Sequence, residues 1–257
     1  MCEIFGVSSR TKVEINEYLK TFFSHSDKHP HGWGLACMDG NETNIEKEPI
    51  KATDSKYLHS RLSVPICVTA GFAHIRYATI GNIFYSNCHP FVEKDSSGRR
   101  WTMIHNGTIF EYEPMNSYIK KQNGDTDSER ILLYIVDLIN DALQNKGQDL
   151  SAEERFELVN QLVIDLSVGN KLNLLLFDGE YMYVHSNYKG TIYYLQKDDA
   201  VYFSTQPLSR EKWKELPSNQ LQVYRDGKLV YQGTVHNNEY VDDAKKVKYL
   251  YQIFSEL

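Results

Sequence analysis

A thiol stands at the second position of this chain, directly after the initiator methionine, in the run Met1-Cys2-Glu3-Ile4-Phe5-Gly6-Val7. Removal of Met1 would leave one residue carrying both a thiol and a free α-amino group. An α-amine titrates near ~8 and a thiol near ~8.5, so the first takes the proton of the second around neutral pH. A nucleophile beside a base is what covalent catalysis requires, and an N-terminal cysteine supplies both. A cysteine also falls at position two by chance, so its weight depends on partners elsewhere.

Four polar clusters are candidates for those partners. Arg76 follows an apolar run in Ala73-His74-Ile75-Arg76-Tyr77-Ala78-Thr79. Such a cation needs a partner away from water, either a structural carboxylate or a substrate carboxylate gripped through two parallel hydrogen bonds. Asn106-Gly107 reads first as a turn dipeptide. A side-chain amide beside a conformationally free N–H would also suit an oxyanion hole. Thr126-Asp127-Ser128-Glu129 could simply cap a helix, worth ~1 kcal/mol, or its carboxylate could receive a ligand ammonium. His29-Pro30-His31-Gly32-Trp33-Gly34 allows a loop to pack closely on Cys2.

The elements that would position these clusters follow from periodicity. Cys2 to Val7, Leu35 to Met38, Thr43 to Glu48, Val68 to Ala73 and Trp101 to His105 read as strands, with a hairpin signal at Asp39-Gly40. A helical pattern covers Val13 to Phe23, and Asp54 is placed to cap a short helix through Leu62. The clearest helix runs from Ser128 to Leu143, with Ile131, Leu132, Ile135, Leu138, Ile139 and Leu143 on one face. Ser151 and Glu154 form a capping box that opens a second helix through Leu166. Strands then resume: Leu172 to Phe177 and Met182 to His185 around Asp178-Gly179, Thr191 to Leu195 and Ala200 to Ser204, Gln220 to Tyr224 and Lys228 to Gln232. Tyr240 to Leu257 reads as a short terminal helix. The order implies an α+β fold of packed sheets with helices outside.

Taken in order, the clusters resemble one family. Met1-Cys2-Glu3-Ile4-Phe5-Gly6, His29-x-His31-Gly32-Trp33-Gly34, Ala73-His74-x-Arg76-x-Ala78-Thr79, Asn87-x-His89-Pro90-Phe91, His105-Asn106-Gly107 and Thr126-Asp127-Ser128-Glu129 resemble the class II glutamine amidotransferase domain, of the N-terminal nucleophile hydrolases. Ser204-Thr205-Gln206-Pro207-Leu208 resembles a late motif of the same family. The resemblance implies a four-layer αββα sandwich, two antiparallel sheets between helical layers. It also implies cleavage of the γ-amide of glutamine or a γ-glutamyl compound. On that reading Cys2 is the nucleophile and its α-amine the general base, and Asn106 and Gly107 form the oxyanion hole. Arg76 takes the substrate α-carboxylate, Asp127 its α-ammonium group, and Tyr77 and Thr79 belong to a loop closing over glutamine. No cofactor and no metal are implied. One departure stands out: His31 occupies a position where relatives usually have aspartate.

Composition narrows the class. With 257 residues, 41% hydrophobic, 24% charged and a formal net charge of -6, the chain has the balance of a globular protein with no basic block for nucleic acid. No apolar run reaches the ~18 residues of a membrane span, and no secretory signal precedes Cys2. Cys2, Cys37, Cys67 and Cys88 are sparse and fit reduced thiols in the cytoplasm. The expected organisation is a single domain over 1–257 with a C-terminal extension from about residue 211. A small-molecule substrate is the expected partner, with a separate ammonia-using synthase chain or a catalytically silent ligand-binding homologue as alternatives. A metal-binding module built from His29, His31, His74, His89, His105 and Cys88 is disfavoured, since Cys88 and His89 in one strand would face opposite sides. If Cys2 is the nucleophile, intact-mass measurement of purified protein shows a chain shortened by Met1; retention of Met1 would remove the base.

Overall fold

Side-chain alternation along the first strand commits the chain to packing on both faces. The computed structural model describes residues 2–79 and 81–243. In β1 (Glu3–Glu14), Phe5 and Val7 turn toward α1 (Asn16–Ser24), where Phe5 meets Phe22 at 6.1 Å between ring centroids. Ile4 turns the other way, into an apolar layer with Ile104 and Leu175. Gly6 shares that inner face, and a Cβ there would overlap the Leu175 side chain. Burial of each such Leu, Ile or Phe contributes ~1.5–3 kcal/mol.

Among the described residues two antiparallel sheets result. β2 (Trp33–Asp39), β3 (Glu42–Glu48), β4 (Cys67–Ile75), β9 (Tyr193–Lys197), β10 (Ala200–Ser204) and β11 (Lys214–Glu215) join β1 in the order β11-β9-β10-β1-β4-β2-β3. β5 (Phe91–Lys94), β6 (Arg100–Thr108), β7 (Lys171–Phe177), β8 (Met182–Ser186), β12 (Gln222–Arg225) and β13 (Lys228–Gln232) form the second, in the order β13-β12-β8-β7-β6-β5. α1 and α2 (Lys56–Arg61) cover the first sheet; α3 (Asp127–Lys146) and α4 (Ala152–Leu166) cover the second. β7 shows why its sequence is almost continuously apolar: Leu172, Leu174 and Leu176 pack on the helices, while Leu175 and Phe177 enter the layer between sheets. The fold is thus an α+β sandwich of four layers, as the motifs imply. The strands after residue 211 extend both sheets, β11 on β9 and β12 on β8.

Helix signals were legible, with shifts at the ends. Thr126 caps α3 by accepting the Glu129 N–H at 3.2 Å, and Gly147 closes it at φ 69°. Ser151 and Glu154 form the reciprocal capping box of α4. The first helix starts at Asn16 rather than Val13, because Val13 and Glu14 still pair with Val68 and Cys67. Ser55, not Asp54, caps α2, its hydroxyl accepting the Leu58 N–H at 3.0 Å. Asn106-Gly107 is no turn: both residues lie inside β6, opposite Asn173 and Leu172. Cys88 and His89 precede β5 rather than occupying a strand, so the opposite-face argument does not apply to them. Of the terminal helix expected over Tyr240 to Leu257, Tyr240–Asp243 are irregular and 244–257 lie outside the described residues.

Several histidines are buried and neutral. His74 and His89 stack at 4.0 Å, and burial drives both well below the usual histidine range. His185, fully buried and 3.0 Å from His236, is pushed down to about 3 by burial and then by that neighbour. In the unfolded chain these imidazoles titrate near ~6.5 and take up protons that the folded state refuses, so their contribution is whole above that pH and is lost as pH falls below it. Between pH 7.5 and 5, above the carboxylate range, stability should fall by about 2 kcal/mol from His185 alone. Urea midpoints measured across that interval test this; a constant midpoint would contradict it.

Candidate active site

Three neighbouring strands end together and build one wall of the site. The register Glu3↔Ile75 and Trp33↔Ile75 places β4 between β1 and β2, so that Cys2, Arg76 and Gly32 emerge side by side. The Arg76 N–H donates to the Gly32 carbonyl at 2.8 Å, and the His31 N–H donates to the Arg76 carbonyl at 3.0 Å. The Cys2 Sγ lies against the next peptide: it accepts from the Tyr77 N–H at 3.3 Å and donates to the Tyr77 carbonyl at 3.4 Å. Burial pushes the thiol up; the Tyr77 N–H and the nearby Arg76 charge pull it back, and Asp127 adds to the rise. A thiol so raised is protonated at neutral pH, so reaction at sulfur needs a base within reach.

The second sheet supplies the facing wall. Asn106 is buried, and among the described residues its side-chain amide is engaged in no hydrogen bond. Gly107 packs so closely on β7 that a Cβ would overlap the Lys171 carbonyl and the His105 ring. Asp127, at the head of α3, accepts the Ile109 N–H at 2.8 Å and the Ser128 N–H at 2.9 Å. Its carboxylate thereby ties the end of β6 to the helix N-terminus, where an anion is favoured.

A cavity of about 690 Å³ brings Cys2, Tyr77 and Asn106 together, a size usual for small-molecule sites. Arg76, Thr79, Gly107 and Asp127 do not line it. The Arg76 guanidinium donates to the carbonyls of Asn82 at 2.8 Å and Gly81 at 2.9 Å, holding the loop that follows it. That loop is pinned further by Asn87, which donates to the Asn82 carbonyl at 2.8 Å and accepts the Asp125 N–H at 2.9 Å. Thr79, half-buried, stands just before the undescribed residue 80. A smaller apolar cavity of about 430 Å³ between α1 and α2, beside Phe23, Leu58 and Leu62, contains none of the four polar clusters.

The cavity also contains groups that periodicity and spacing did not single out. Glu3, buried beside Cys2, accepts from Gln206 Nε2 at 2.9 Å and pairs with His25 Nδ1 at 2.9 Å. Burial opposes its charge, but the bonds from His25 and Gln206 outweigh that and hold its carboxyl below the usual range. Lys171, at the start of β7, lines the cavity with its Nζ 4.3 Å from the Tyr188 ring centroid. The available signal was a charge directly before apolar residues, Glu3 before Ile4-Phe5 and Lys171 before Leu172. Partners some 200 positions away were out of reach of any local pattern.

The sequence profile of the class-II glutamine amidotransferases matches residues 1–198. An uncharacterized protein of Methanocaldococcus jannaschii is 27% identical over 90% of this chain and 71% of its own length. A Haemophilus influenzae protein, named as a candidate glutamine amidotransferase, is 23% identical over 95% of this chain and 91% of its own length. Among solved structures, a predicted glutamine amidotransferase from Pseudomonas aeruginosa superposes with a TM-score of 0.66. That match covers 90% of this chain and 100% of that one at 20% identity, a likeness of fold. Among the described residues no helix is long and apolar enough to cross a membrane.

His31 has a defined task in this geometry. Its Nδ1 accepts the Ala78 N–H at 2.9 Å, bracing the turn that carries Tyr77 against Cys2. Accepting requires an unprotonated nitrogen, and burial followed by the Arg76 charge lowers the imidazole from its usual range. Replacing His31 by Ala leaves the Ala78 N–H without its acceptor and should cost ~1–3 kcal/mol. His31→Asp, which restores an acceptor, should lose less. Denaturant unfolding of both variants at pH 7.5 tests this; equal losses would remove the acceptor role.

Proposed function

The chain belongs to the class II glutamine amidotransferases, and from that premise we propose that it hydrolyses the γ-amide of glutamine or a γ-glutamyl compound through an N-terminal cysteine thioester. The observation that carries this reading is the Cys2 thiol held by the Tyr77 backbone in one cavity with Asn106, whose amide is unengaged among the described residues. Once Met1 is removed, the freed α-amine takes the thiol proton and the sulfur attacks the amide carbonyl carbon. The carbonyl oxygen gains the electron pair, and Asn106 and the main chain at Gly107 stabilise it; loss of one such donor typically costs ~3 kcal/mol in the transition state.

Collapse of the tetrahedral intermediate breaks the C–N bond. The leaving nitrogen receives the proton from the α-ammonium and departs as ammonia or an amine, leaving a γ-glutamyl thioester on Cys2. The same amine then activates water, which adds to the thioester and releases glutamate and the thiol. In this proposal Arg76 binds the α-carboxylate and Asp127 the α-ammonium group, with Tyr77 and Thr79 in the loop over the glutamyl chain. Support for those two assignments is electrostatic: both charges act on the Cys2 thiol although neither lines the open cavity. Substrate binding would require Arg76 to exchange bonds with the Gly81 and Asn82 carbonyls for bonds to a carboxylate, and the planar guanidinium suits both.

A diazoketone analogue of glutamine tests the nucleophile. Peptide mapping should find the adduct on Cys2, with glutamine protecting. Cys37 and Cys88 should stay unmodified, since burial raises each thiol to about 11. Modification of exposed Cys67 with Cys2 untouched, indifferent to glutamine, would sink the assignment.

A further inference from the structure

A separate cavity, of about 380 Å³, opens where the two sheets present their edges: β3 ends the first sheet and β5 the second. Phe91 and Glu93, two apart on β5, share one face of that strand and meet Leu132 and Glu129 of α3 in the cavity. β3 contributes Lys47. Tyr85 and Ser86, from the loop that follows Arg76, complete the wall.

Two opposite charges line this cavity without pairing. The Lys47 ammonium donates to the carbonyls of Cys88 at 2.7 Å and Pro90 at 3.2 Å, which uses two of its three hydrogens. The Tyr85 and Phe91 rings lie 5.0 and 5.4 Å from it, centroid to nitrogen. Glu93 is half-buried and makes no ion pair among the described residues. Burial, then the carboxylates of Glu129 and Asp137, push its carboxyl up, and the Lys94 peptide pulls it back. Those two neighbours are themselves occupied: Glu129 accepts from the N–H groups of Asn123 and Gly124, and Asp137 from Tyr118 and Lys121. Glu93 is therefore the carboxylate that a cation would relieve, and Lys47 the cation with a donor to spare. A molecule carrying both charges can answer both, with an apolar side chain against Ile45, Phe91 and Leu132.

We propose that this cavity binds a small apolar α-amino acid, carboxylate on Lys47 and ammonium on Glu93, and that its occupation opposes glutamine at the Cys2 site. The second half rests on the amide-hydrolysis reading above. Arg76 donates to the Gly81 and Asn82 carbonyls, and Asn87 ties the far end of the same loop to Asp125. Tyr85 and Ser86 lie between those anchors, so a ligand braced on them holds the loop in the state that keeps Arg76 engaged. Glutamine needs the other state, in which Arg76 has turned to a carboxylate. A ligand that favours one of two states weakens whatever requires the other, and the weakening is reciprocal.

The test uses L-leucine beside isocaproate, which lacks its ammonium, and isoamylamine, which lacks its carboxylate. Calorimetry on the mature protein should find leucine tighter than either by about tenfold or more, the scale of one charge-assisted bond. Glu93→Gln should remove that advantage and leave the KM for glutamine unchanged when leucine is absent. Saturating leucine should raise the wild-type KM about fivefold or more with kcat unaltered, and should do nothing to Glu93→Gln. Absence of leucine binding, or isocaproate binding as well as leucine, overturns the proposal. So does a leucine effect that survives Glu93→Gln, which would put leucine at the Cys2 site instead. Binding that depends on Glu93 with KM unmoved would overturn the coupling to Arg76. The same binding in a protein that releases no glutamate from glutamine would overturn the amidohydrolase reading and leave the amino-acid site standing.

Discussion

The position of β4 between β1 and β2 is the constraint on which the site depends. Hydrogen-bond register sets residue 2 beside residue 76, and pleat geometry then sets which peptide the thiol meets. A slip of one residue would turn Phe5 and Val7 toward the second sheet and Ile4 toward α1, exchanging the two apolar layers. It would also move Cys2 away from the Tyr77 peptide. The energy that prevents the slip is therefore spread over both cores, while its consequence is local. Glycine tightens the same frame: at Gly34 a Cβ would overlap the His89 carbonyl, and at Gly107 the Lys171 carbonyl.

Polar groups gather where the strands end, and most are satisfied by backbone rather than by each other. Asp127 holds two N–H groups from two elements, Arg76 holds two carbonyls of its own loop, and His31 holds the turn between them. Backbone partners keep buried charges in place without requiring opposite charges beside them. Elsewhere the molecule adopts the other solution: Arg155 and Asp178 form a buried pair at 2.8 Å, with Tyr183 and two N–H groups completing the carboxylate. There the charges cancel, and the result is a braced hairpin.

Legibility followed the range of the interaction. α3 and α4 were readable because caps and apolar faces lie within a few residues of each other. The hairpin at Asp178-Gly179 was readable for the same reason, although nothing local indicated that Asp178 would also anchor Arg155. Asn106-Gly107 misled as a turn, because dipeptide preference was overridden by pairing with β7 on the far side of two helices. The polar clusters around Arg76, Asn106 and Asp127 each had a plausible structural use when taken alone. Only their order, as a resemblance, assembled them. Glu3 and Gln206 lay in two of those motifs with nothing local to pair them, and Lys171, in the cavity of Cys2, lay in none.

The imidazole at residue 31 changes the electrostatics of the site as well as its bracing. A carboxylate at this position would stand near Arg76 and oppose its field; a neutral imidazole supplies the same acceptor to Ala78 and adds no negative charge. The surroundings of Cys2 are then more positive by one charge than with aspartate, and a positive field favours thiolate over thiol. Burial works in the opposite direction and is the larger influence on Cys2. A residue that meets a hydrogen-bond requirement without contributing an anion therefore offsets part of the cost of keeping the thiol in a dry site.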